Sequence, residues 1–291
     1  MSTVALPAAP SEARIARRET FRQLLRSPTF IAGSVIVGFW IFCALLGTKI
    51  APYDPQDQSF TPLLKPGAHL FGTDSLGRDV FSRVLLGASD ILKIAPLATL
   101  LGIAGGTVIG LVTGYFRGLT DNAISRIVDA WLALPVIVIA VTALVALGTS
   151  TGTLVVVIGV VFMPIVSRTV RAAVLAERQL EYVQAARLRG ERPPYVMFVE
   201  ILPNVMGPII VVATVRLGYA IFTVAGLTFL GFGVQPPSPD WALQIANGYT
   251  LLNDTAHQGN YWTVLFPGAA VASLVIGVNL IADGISRTLE R

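Results

Sequence analysis

The sequence predicts an all-α, polytopic membrane protein with six transmembrane helices and with both termini in the cytoplasm. Composition, the lengths of the apolar runs and the placement of the arginines support this fold class. Of the 291 residues, 54% are hydrophobic and only 13% are charged, whereas a soluble domain carries about 25% charged residues. Inside lipid, backbone polar groups must be hydrogen-bonded internally, so the spanning segments are helices. The alternating short segments of a membrane β-barrel are absent from the sequence.

Six apolar runs are long enough to cross roughly 30 Å of hydrocarbon at about 1.5 Å per residue. They cover approximately residues 30–50, 91–116, 127–147, 154–174, 205–230 and 261–281. The first run is too long for the core of a signal peptide and lacks a small-residue cleavage site, so we interpret it as an uncleaved helix. Residues 1–29 are then a cytoplasmic tail, and residues 30–291 are a membrane domain.

Lysine and arginine placement predicts the orientation, because cytoplasmic segments carry an excess of both. With the N-terminus inside, the cytoplasmic segments contain Arg14, Arg17, Arg18, Arg22, Arg26, Arg117, Arg126, Arg168, Arg171, Arg178, Arg187, Arg189, Arg192, Arg287 and Arg291. The outer segments contain only Lys49, Lys65, Arg78 and Arg83. This arrangement also places the long loop at residues 176–204 on the cytoplasmic side.

The second span carries a glycine at every fourth position, namely Gly102, Gly106, Gly110 and Gly114. This spacing produces a groove down one helix face, into which another helix can pack closely. Close packing is the simpler interpretation. The alternative is that this face slides or rocks during transport.

The loop at residues 176–204 is the longest charged segment in the second half of the chain, and long polar loops between spans usually have a function. Ala185, Ala186 and Gly190 have spacings that can share one helical face, which a groove of another protein could approach closely. We expect Pro193-Pro194 to end this helix. Leu202-Pro203-Asn204 is expected to form the turn into the next span.

This loop resembles the cytoplasmic EAA loop of bacterial ABC importer permeases. The matching positions are Ala185, Ala186, Gly190, Leu202 and Pro203, while Gln184 replaces the glutamate of the pattern and Glu200 replaces an apolar residue. Glu181-Tyr182-Val183 resembles the dipeptide, oligopeptide and nickel branch of the family. The resemblance implies that the loop, including Glu181 and Gln184, couples the chain to an ATPase.

A second motif lies in the outer loop between the first two spans and consists of Phe71, Gly72, Thr73, Asp74, Gly77, Arg78, Asp79 and Arg83. It resembles the FGTDxxGRDxxSR motif of one of the two permease subunits, the C-type, in peptide and nickel importers. Its alternating charges can form an ion-pair network that fixes the loop on the outer mouth. Two readings remain open: a solvated loop with weak surface ion pairs, or an outer gate or docking surface for a binding protein.

Two later segments resemble the same family. Residues 227–248 resemble its LSFLGLG…PSWG segment, with Val224 where a glutamate often stands. Residues 279–287 resemble its N-x-x-GDGLRD tail, with Ala282 in place of a glycine. With the outer-loop motif, the matches cover the chain from about Phe71 to Arg291.

Few residues are candidates for chemistry. Arg216 falls near the middle of the fifth span, where it either lines a polar pathway or pairs with a carboxylate or an exposed carbonyl. One cysteine, Cys43, and two distant histidines, His69 and His257, give no metal-ligand cluster. No lysine follows a glycine, so the sequence has no phosphate-binding P-loop. No catalytic motif is present either.

The predicted molecule is a six-span permease with the type I ABC importer fold in the bacterial inner membrane. The resemblance implies a heterodimer with a homologous permease, two ABC ATPase subunits that bind ATP and Mg, and an extracytoplasmic substrate-binding protein. The chain itself is expected to contact membrane lipid, to bind no cofactor or nucleic acid, and to move di- or oligopeptides.

Two alternatives remain at this stage. The same machinery could carry nickel, glutathione or another small solute. A self-sufficient channel or ion-coupled carrier would belong to a different class, and it should show carboxylates or paired broken helices at mid-membrane.

Overall fold

The computed structural model describes residues 23–253 and 260–289. Within these ranges the regular structure is helical, apart from an isolated bridge between Thr73 and Asp79. Arg14, Arg17, Arg18, Arg22, His257 and Arg291 lie outside the described residues. The division into a tail at 1–29 and a membrane domain at 30–291 stays a prediction.

The helices follow one another along the chain, most with short connections, and a long loop at residues 51–79 joins the first two. They are α1 (Pro28–Ile50), α2 (Val80–Leu86), α3 (Ala88–Phe116), α4 (Gly118–Leu132), α5 (Val136–Leu147), α6 (Thr151–Glu177), α7 (Glu181–Leu188), α8 (Pro193–Tyr195), a π-helical turn (Val196–Ile201), α9 (Leu202–Asn204), α10 (Met206–Phe229), α11 (Trp241–Gly248), a 3₁₀ turn (Tyr249–Asn253) and α12 (Trp262–Leu289).

Among the described residues, five helical segments are long and apolar enough to cross a membrane. They are α1, the joined α2 and α3, α6, α10 and α12. A sixth crossing exists if the bent pair of α4 and α5 counts as one span. The fold is therefore an all-helical membrane bundle with five to six spans.

The predicted third span, 127–147, is not one helix. It starts earlier, at Gly118, and is broken between Leu132 and Val136 with a bend of 89°. Pro135 explains the break, because its ring disfavours helical geometry at Leu134 and because it has no N–H to donate. A hydropathy average cannot detect this change of direction.

The second span also begins earlier than predicted. Helix α2 starts at Val80, and Asp79 caps it by accepting a hydrogen bond from the N–H of Ser82 at 2.7 Å. An aspartate at this position satisfies N–H groups that the first helical turn leaves unpaired. The outer-loop motif therefore leads directly into the span.

The glycine stripe of α3 faces α6. Cβ atoms added to these four glycines would lie only 2.5–3.0 Å from Cβ atoms of α6. The pairs are Gly102 with Phe162 (3.0 Å), Gly106 with Val166 (2.5 Å), Gly110 with Val170 (2.6 Å) and Gly114 with Val174 (2.7 Å). Four turns of α3 thus lie directly against four turns of α6. Whether this face slides during transport stays a prediction.

A separate apolar cluster joins the loop at 176–204 to the end of the bundle. Its buried members are Leu111, Val166, Val170, Val174, Val183, Ala186, Val196, Met197, Ile201, Val205 and Ile209. Helices α3, α6, α7 and α10 all contribute, so α7 lies on the bundle rather than projecting into water.

Candidate functional site

Helix α7 has one buried face and one exposed face. Val183 and Ala186 are both 0% exposed and pack into the apolar cluster described above. The opposite face carries Glu181, Gln184, Ala185 and Leu188, all exposed. Leu188 is 89% exposed, which is unusual for a leucine on an ordered helix.

The prediction that Ala185, Ala186 and Gly190 share one face is wrong. Ala185 and Ala186 are successive residues, which lie about 100° apart around a helix, and Ala186 points inward while Ala185 points outward. Gly190 lies beyond the last helical residue, Leu188. The residue pattern could not reveal which alanine faces the bundle, because both are small and apolar.

Gly190 ends α7 through a Schellman motif. The N–H of Glu191 donates to the carbonyl of Ala186 at 3.2 Å, and the N–H of Gly190 donates to that of Arg187 at 3.0 Å. This geometry requires a left-handed residue, and Gly190 has φ +79°. No atom lies within 4 Å of an added Cβ at this position, so the backbone and not crowding within the chain demands glycine.

The expectation that Pro193-Pro194 ends α7 is wrong. These prolines begin the next helix, with Pro193 in its first turn. Proline fits there because the first N–H groups of a helix have no partner in any case. Leu202-Pro203-Asn204 is helical as well, and not a turn. Pro203 cannot donate to the carbonyl four residues earlier, and the residues before it form the π-helical turn.

Tyr182 ties α7 to both neighbouring spans. Its hydroxyl donates to Oε1 of Glu177 at 2.6 Å, at the end of α6. The side-chain amide of Asn204, just before α10, donates to the Tyr182 oxygen at 3.0 Å and to the carbonyl of Glu200 at 2.8 Å. Burial, followed by the bond to the Glu177 carboxylate, raises the pKa of Tyr182 to about 12. Displacing α7 would therefore pull on the ends of α6 and α10.

The two departures from the family pattern have local partners. The Gln184 amide donates to the carbonyl of Gln179 at 3.0 Å. Glu200 lies 3.5 Å from the guanidinium of Arg189, which is also 3.8 Å from Glu191. These pairs are partly exposed, and such pairs contribute little to stability.

The outer-loop motif is buried and not a solvated loop. Asp74 accepts hydrogen bonds from the N–H groups of Leu76 at 2.9 Å and Arg78 at 3.0 Å, and from Nε of Arg78 at 2.7 Å. Arg83 lies 3.8 Å from the same carboxylate and is 1% exposed. The alternating charges thus form a shielded network, in which ion pairs are screened less than at a surface.

Asp79 organises the second half of the motif. Its Oδ2 accepts from the N–H and the hydroxyl of Ser82, both at 2.7 Å, and its Oδ1 lies 2.9 Å from Nδ1 of His69. Gly72 and Gly77 both have φ +74°, and added Cβ atoms would lie 2.4 Å and 2.1 Å from backbone carbonyl oxygens. Both positions therefore require glycine.

The motif also fastens the outer loop to the end of the bundle. Phe71 stacks on Phe266 with ring centres 3.8 Å apart, and Trp262 donates to the carbonyl of Thr73 at 3.2 Å. Arg83 donates to the carbonyl of Ser238 at 3.0 Å. These contacts connect the loop with α12 and with the segment before α11.

Arg216 lies partly buried in α10, and its guanidinium carbon is 5.0 Å from the ring centre of Tyr219. Its Nε is buried and makes no hydrogen bond with any residue that the structure describes. A cation–π contact stabilises the charge in part. The role of Arg216 in a pathway stays a prediction.

A polar cavity of about 270 Å³ between α3, α4 and α6 was not expected from the sequence. Arg171 donates to both carboxylate oxygens of Asp121, at 2.7 and 2.6 Å, and Arg168 pairs with Asp129. Both carboxylates lie on α4 and both arginines on α6, and sequence patterns did not indicate that these two helices face each other.

Residues 106–291 match the family model described as "Binding-protein-dependent transport system inner membrane component". The chain belongs to this family. Residues 17–66 match a second model, the N-terminal transmembrane domain of oligopeptide transport permease C. The permease is therefore the non-catalytic inner-membrane component of a transport system that depends on a binding protein.

Several named permeases are similar to this one over nearly their whole length. A dipeptide transport system permease of Alkalihalophilus pseudofirmus is 36% identical, with 94% of this chain and 89% of that protein aligned. A glutathione transport system permease of Pectobacterium atrosepticum is 33% identical, covering 94% and 90%. A probable D,D-dipeptide transport system permease of Escherichia coli is 36% identical, covering 91% and 88%.

The permease also resembles a solved structure of the methionine ABC transporter MetNI in an inward-facing conformation. The TM-score is 0.57 at 19% sequence identity, and the alignment covers 72% of this chain and 97% of the other. This similarity supports the helical permease fold predicted from the sequence.

Proposed function

We propose that this permease forms half of the membrane pathway of an ABC importer that moves di- or oligopeptides into the cytoplasm. A homologous permease supplies the other half, and an extracytoplasmic binding protein delivers the cargo. Two ABC ATPase subunits bind ATP and Mg and provide the energy. The names of the dipeptide permeases, which align with 91–94% of this chain, support peptides as cargo.

The two-faced geometry of α7 carries this proposal. Its inner face is anchored by Val183 and Ala186, while its outer face offers Gln184, Ala185 and Leu188 to water. An exposed leucine beside a small alanine suits insertion into a groove of another protein. The ATPase subunit is the occupant that the resemblance to the EAA loop implies.

The contacts of α7 suggest how a push on it reaches the pathway. Tyr182 links α7 to Glu177 of α6 and to Asn204 before α10. Helix α6 in turn packs on the glycine stripe of α3. Closure of the ATPases would thus shift α6 and α10 together, in the manner of a rigid-body transition.

At the opposite end, the outer-loop motif provides a fixed platform for the binding protein. Its charged residues are committed to internal contacts, so they serve to hold the loop rather than to touch a partner. Leu70 and Leu76 project from it with 60% and 49% exposure. We assign the docking contact to this exposed rim and not to Asp74, Arg78, Asp79 or Arg83.

Reconstitution of the permease with its ATPase, partner permease and binding protein in proteoliposomes tests the proposal. We expect uptake of a labelled dipeptide that requires ATP, the binding protein and an intact α7. Leu188→Asp should abolish uptake while the permease remains in the membrane, because an unpaired charge would enter the groove. Equal uptake without ATP would instead identify a channel or an ion-coupled carrier.

Glutathione is a second candidate cargo, because a glutathione permease is 33% identical to this chain. In the same proteoliposomes, excess unlabelled glutathione should leave dipeptide uptake unchanged if peptides without a γ-linkage are preferred. Strong inhibition by glutathione, together with uptake of labelled glutathione, would favour the second cargo.

A further inference from the structure

Three arginines meet at the arginine-rich end of the bundle, which the sequence predicts to be cytoplasmic. Arg117 joins α3 to α4, Arg178 follows α6, and Arg187 lies in the last turn of α7. The guanidinium carbon of Arg187 is 4.4 Å from the ring centre of Tyr115, at the end of α3. We call these residues the arginine cluster.

Two guanidinium groups of the cluster, those of Arg178 and Arg187, have unused donors. Nη1 of Arg178 and both Nε and Nη2 of Arg187 are buried, and none of them donates to a residue that the structure describes. The neighbouring arginines differ, because Arg168, Arg171 and Arg189 all pair with carboxylates. Buried charged donors without acceptors are costly, so such groups usually bind an ion, a ligand or ordered water.

The cluster is also strongly positive. Burial, followed by the charges of Arg187 and Arg117, lowers the pKa of Arg178. Arginine nevertheless remains protonated at neutral pH, so the three charges repel one another. A bound anion would relieve both the repulsion and the missing hydrogen bonds.

The backbone at Arg117 adds to this field. Arg117 has φ 54° and ψ −168°, a region that is essentially limited to glycine. It is the residue before α4, and no side chain caps the first turn of that fifteen-residue helix. Helix N-termini favour negative charge, and the acidic residue of this first turn, Asp121, is hydrogen-bonded to Arg171 rather than to the cluster.

The position of the cluster indicates the source of the anion. Arg187 is four residues after Val183 and therefore lies toward the buried side of α7, over Tyr115, rather than on the face with Ala185 and Leu188. Two large apolar side chains beside the cluster, Phe116 and Leu119, are 48% and 89% exposed. Basic groups beside exposed apolar groups at the end of spanning helices fit a lipid better than a water-soluble partner.

We propose that Arg117, Arg178 and Arg187 bind the phosphate of an anionic phospholipid of the cytoplasmic leaflet, with Phe116 and Leu119 against its acyl chains. The guanidinium groups offer the charge-assisted hydrogen bonds that phosphate oxygens accept. The bound headgroup would lie between the ends of α3 and α6 and the last turn of α7. It would stabilise the arrangement in which α7 rests on the bundle.

The test measures lipid bound to the full-length permease complex in nanodiscs of phosphatidylcholine containing a titrated fraction of spin-labelled phosphatidylglycerol. We expect saturable binding to the wild-type complex. Arg187→Gln should weaken it about fivefold, since each basic group near a membrane surface contributes about this factor. The control Arg189→Gln, which removes an exposed, carboxylate-paired arginine of the same loop, should bind like the wild type.

Four results would overturn the proposal. Equal binding to Arg187→Gln and to the wild type would remove the cluster as the site. Displacement of the lipid by millimolar inorganic phosphate would indicate a soluble anion as the ligand. Loss of the ATPase from Arg187→Gln complexes in every lipid mixture would indicate a carboxylate of that subunit. Arg187→Lys keeps the charge, so if it folds as stably as the wild type yet binds no lipid, phosphate binding is contradicted.

Discussion

Replacing Gly106 with alanine tests the close packing of α3 against α6. The added Cβ would lie 2.5 Å from the Cβ of Val166 and 2.7 Å from the carbonyl oxygen of Met163, whereas ordinary van der Waals contact begins at 3.4 Å. Both atoms belong to or adjoin the α6 backbone, so no rotamer change relieves the clash. Helix α6 must move away from α3 by roughly 1 Å at this turn.

The loss of stability comes from the contacts between α3 and α6 that this movement would break. Neighbouring turns at Gly102 and Gly110 would lose their own close contacts with α6. Membrane helices depend on such packing, because lipid supplies no hydrophobic driving force between them. Overpacking of a tight interior costs about 1–3 kcal/mol. We expect Gly106→Ala to lower the free energy of unfolding by about 2 kcal/mol, or Tm by roughly 4–8 °C.

Thermal unfolding of the purified permease in detergent, followed by tryptophan fluorescence, measures this shift. Gly105→Ala is the neighbouring control, because its Cβ would meet only the flexible thioether of Met163 at 2.5–2.6 Å. Gly38→Ala in α1 is the open control, with no atom within 4 Å of the added Cβ. If Gly106→Ala unfolds at the same temperature as both controls, the packing argument is refuted.

Three further predictions concern the loops. Gly190→Ala should fray the end of α7, because a left-handed non-glycine residue costs about 1–2 kcal/mol. ATP-dependent uptake should therefore fall while the amount of permease in the membrane stays constant. Unchanged uptake would show that the Schellman motif is dispensable. Tyr182→Phe should lower uptake by breaking the link between Glu177 and Asn204, whereas Tyr195→Phe, which removes an exposed hydroxyl, should not. Asp240→Asn should flatten the pH dependence of Tm in acid. Burial raises the pKa of Asp240 from 3.8 to about 6. The protonated carboxyl therefore favours the folded state most below pH 3.8, and this stabilisation is lost as the pH rises through about 6. An identical pH profile for wild type and variant would contradict the last prediction.

The apolar runs predicted most of the spans because a bilayer imposes length and hydropathy on any helix that crosses it. The sequence did not predict the α4–α5 bend, because Pro135 lies within a run whose average hydropathy is that of a span. A single proline changes the direction of a helix without changing its composition. Only the geometry shows that α4 brings Asp129 to Arg168 of α6.

Some features of the candidate site could be predicted from the sequence, and others depend on contacts between distant parts of the chain. The resemblance to the EAA loop placed Gly190, Leu202 and Pro203 in one loop. The direction of Ala185 and Ala186, however, depends on the apolar cluster, which long-range packing creates. The charges of the outer motif suggested an ion-pair network, and Asp74 and Arg78 form part of it four residues apart. The burial of Arg83 could not be predicted, because its partner Ser238 lies 155 residues away in the sequence.

The central claim is that the exposed face of α7 receives the ATPase on the cytoplasmic side. Cysteine labelling with a membrane-impermeant maleimide tests it directly, because the one native cysteine, Cys43, is buried. In inside-out vesicles, Ala185→Cys should label readily without the ATPase and should be protected when the ATPase is bound, while Ala186→Cys should stay unlabelled in both cases. Labelling of Ala185→Cys from the opposite side of the membrane, or labelling that the ATPase does not reduce, would contradict the account.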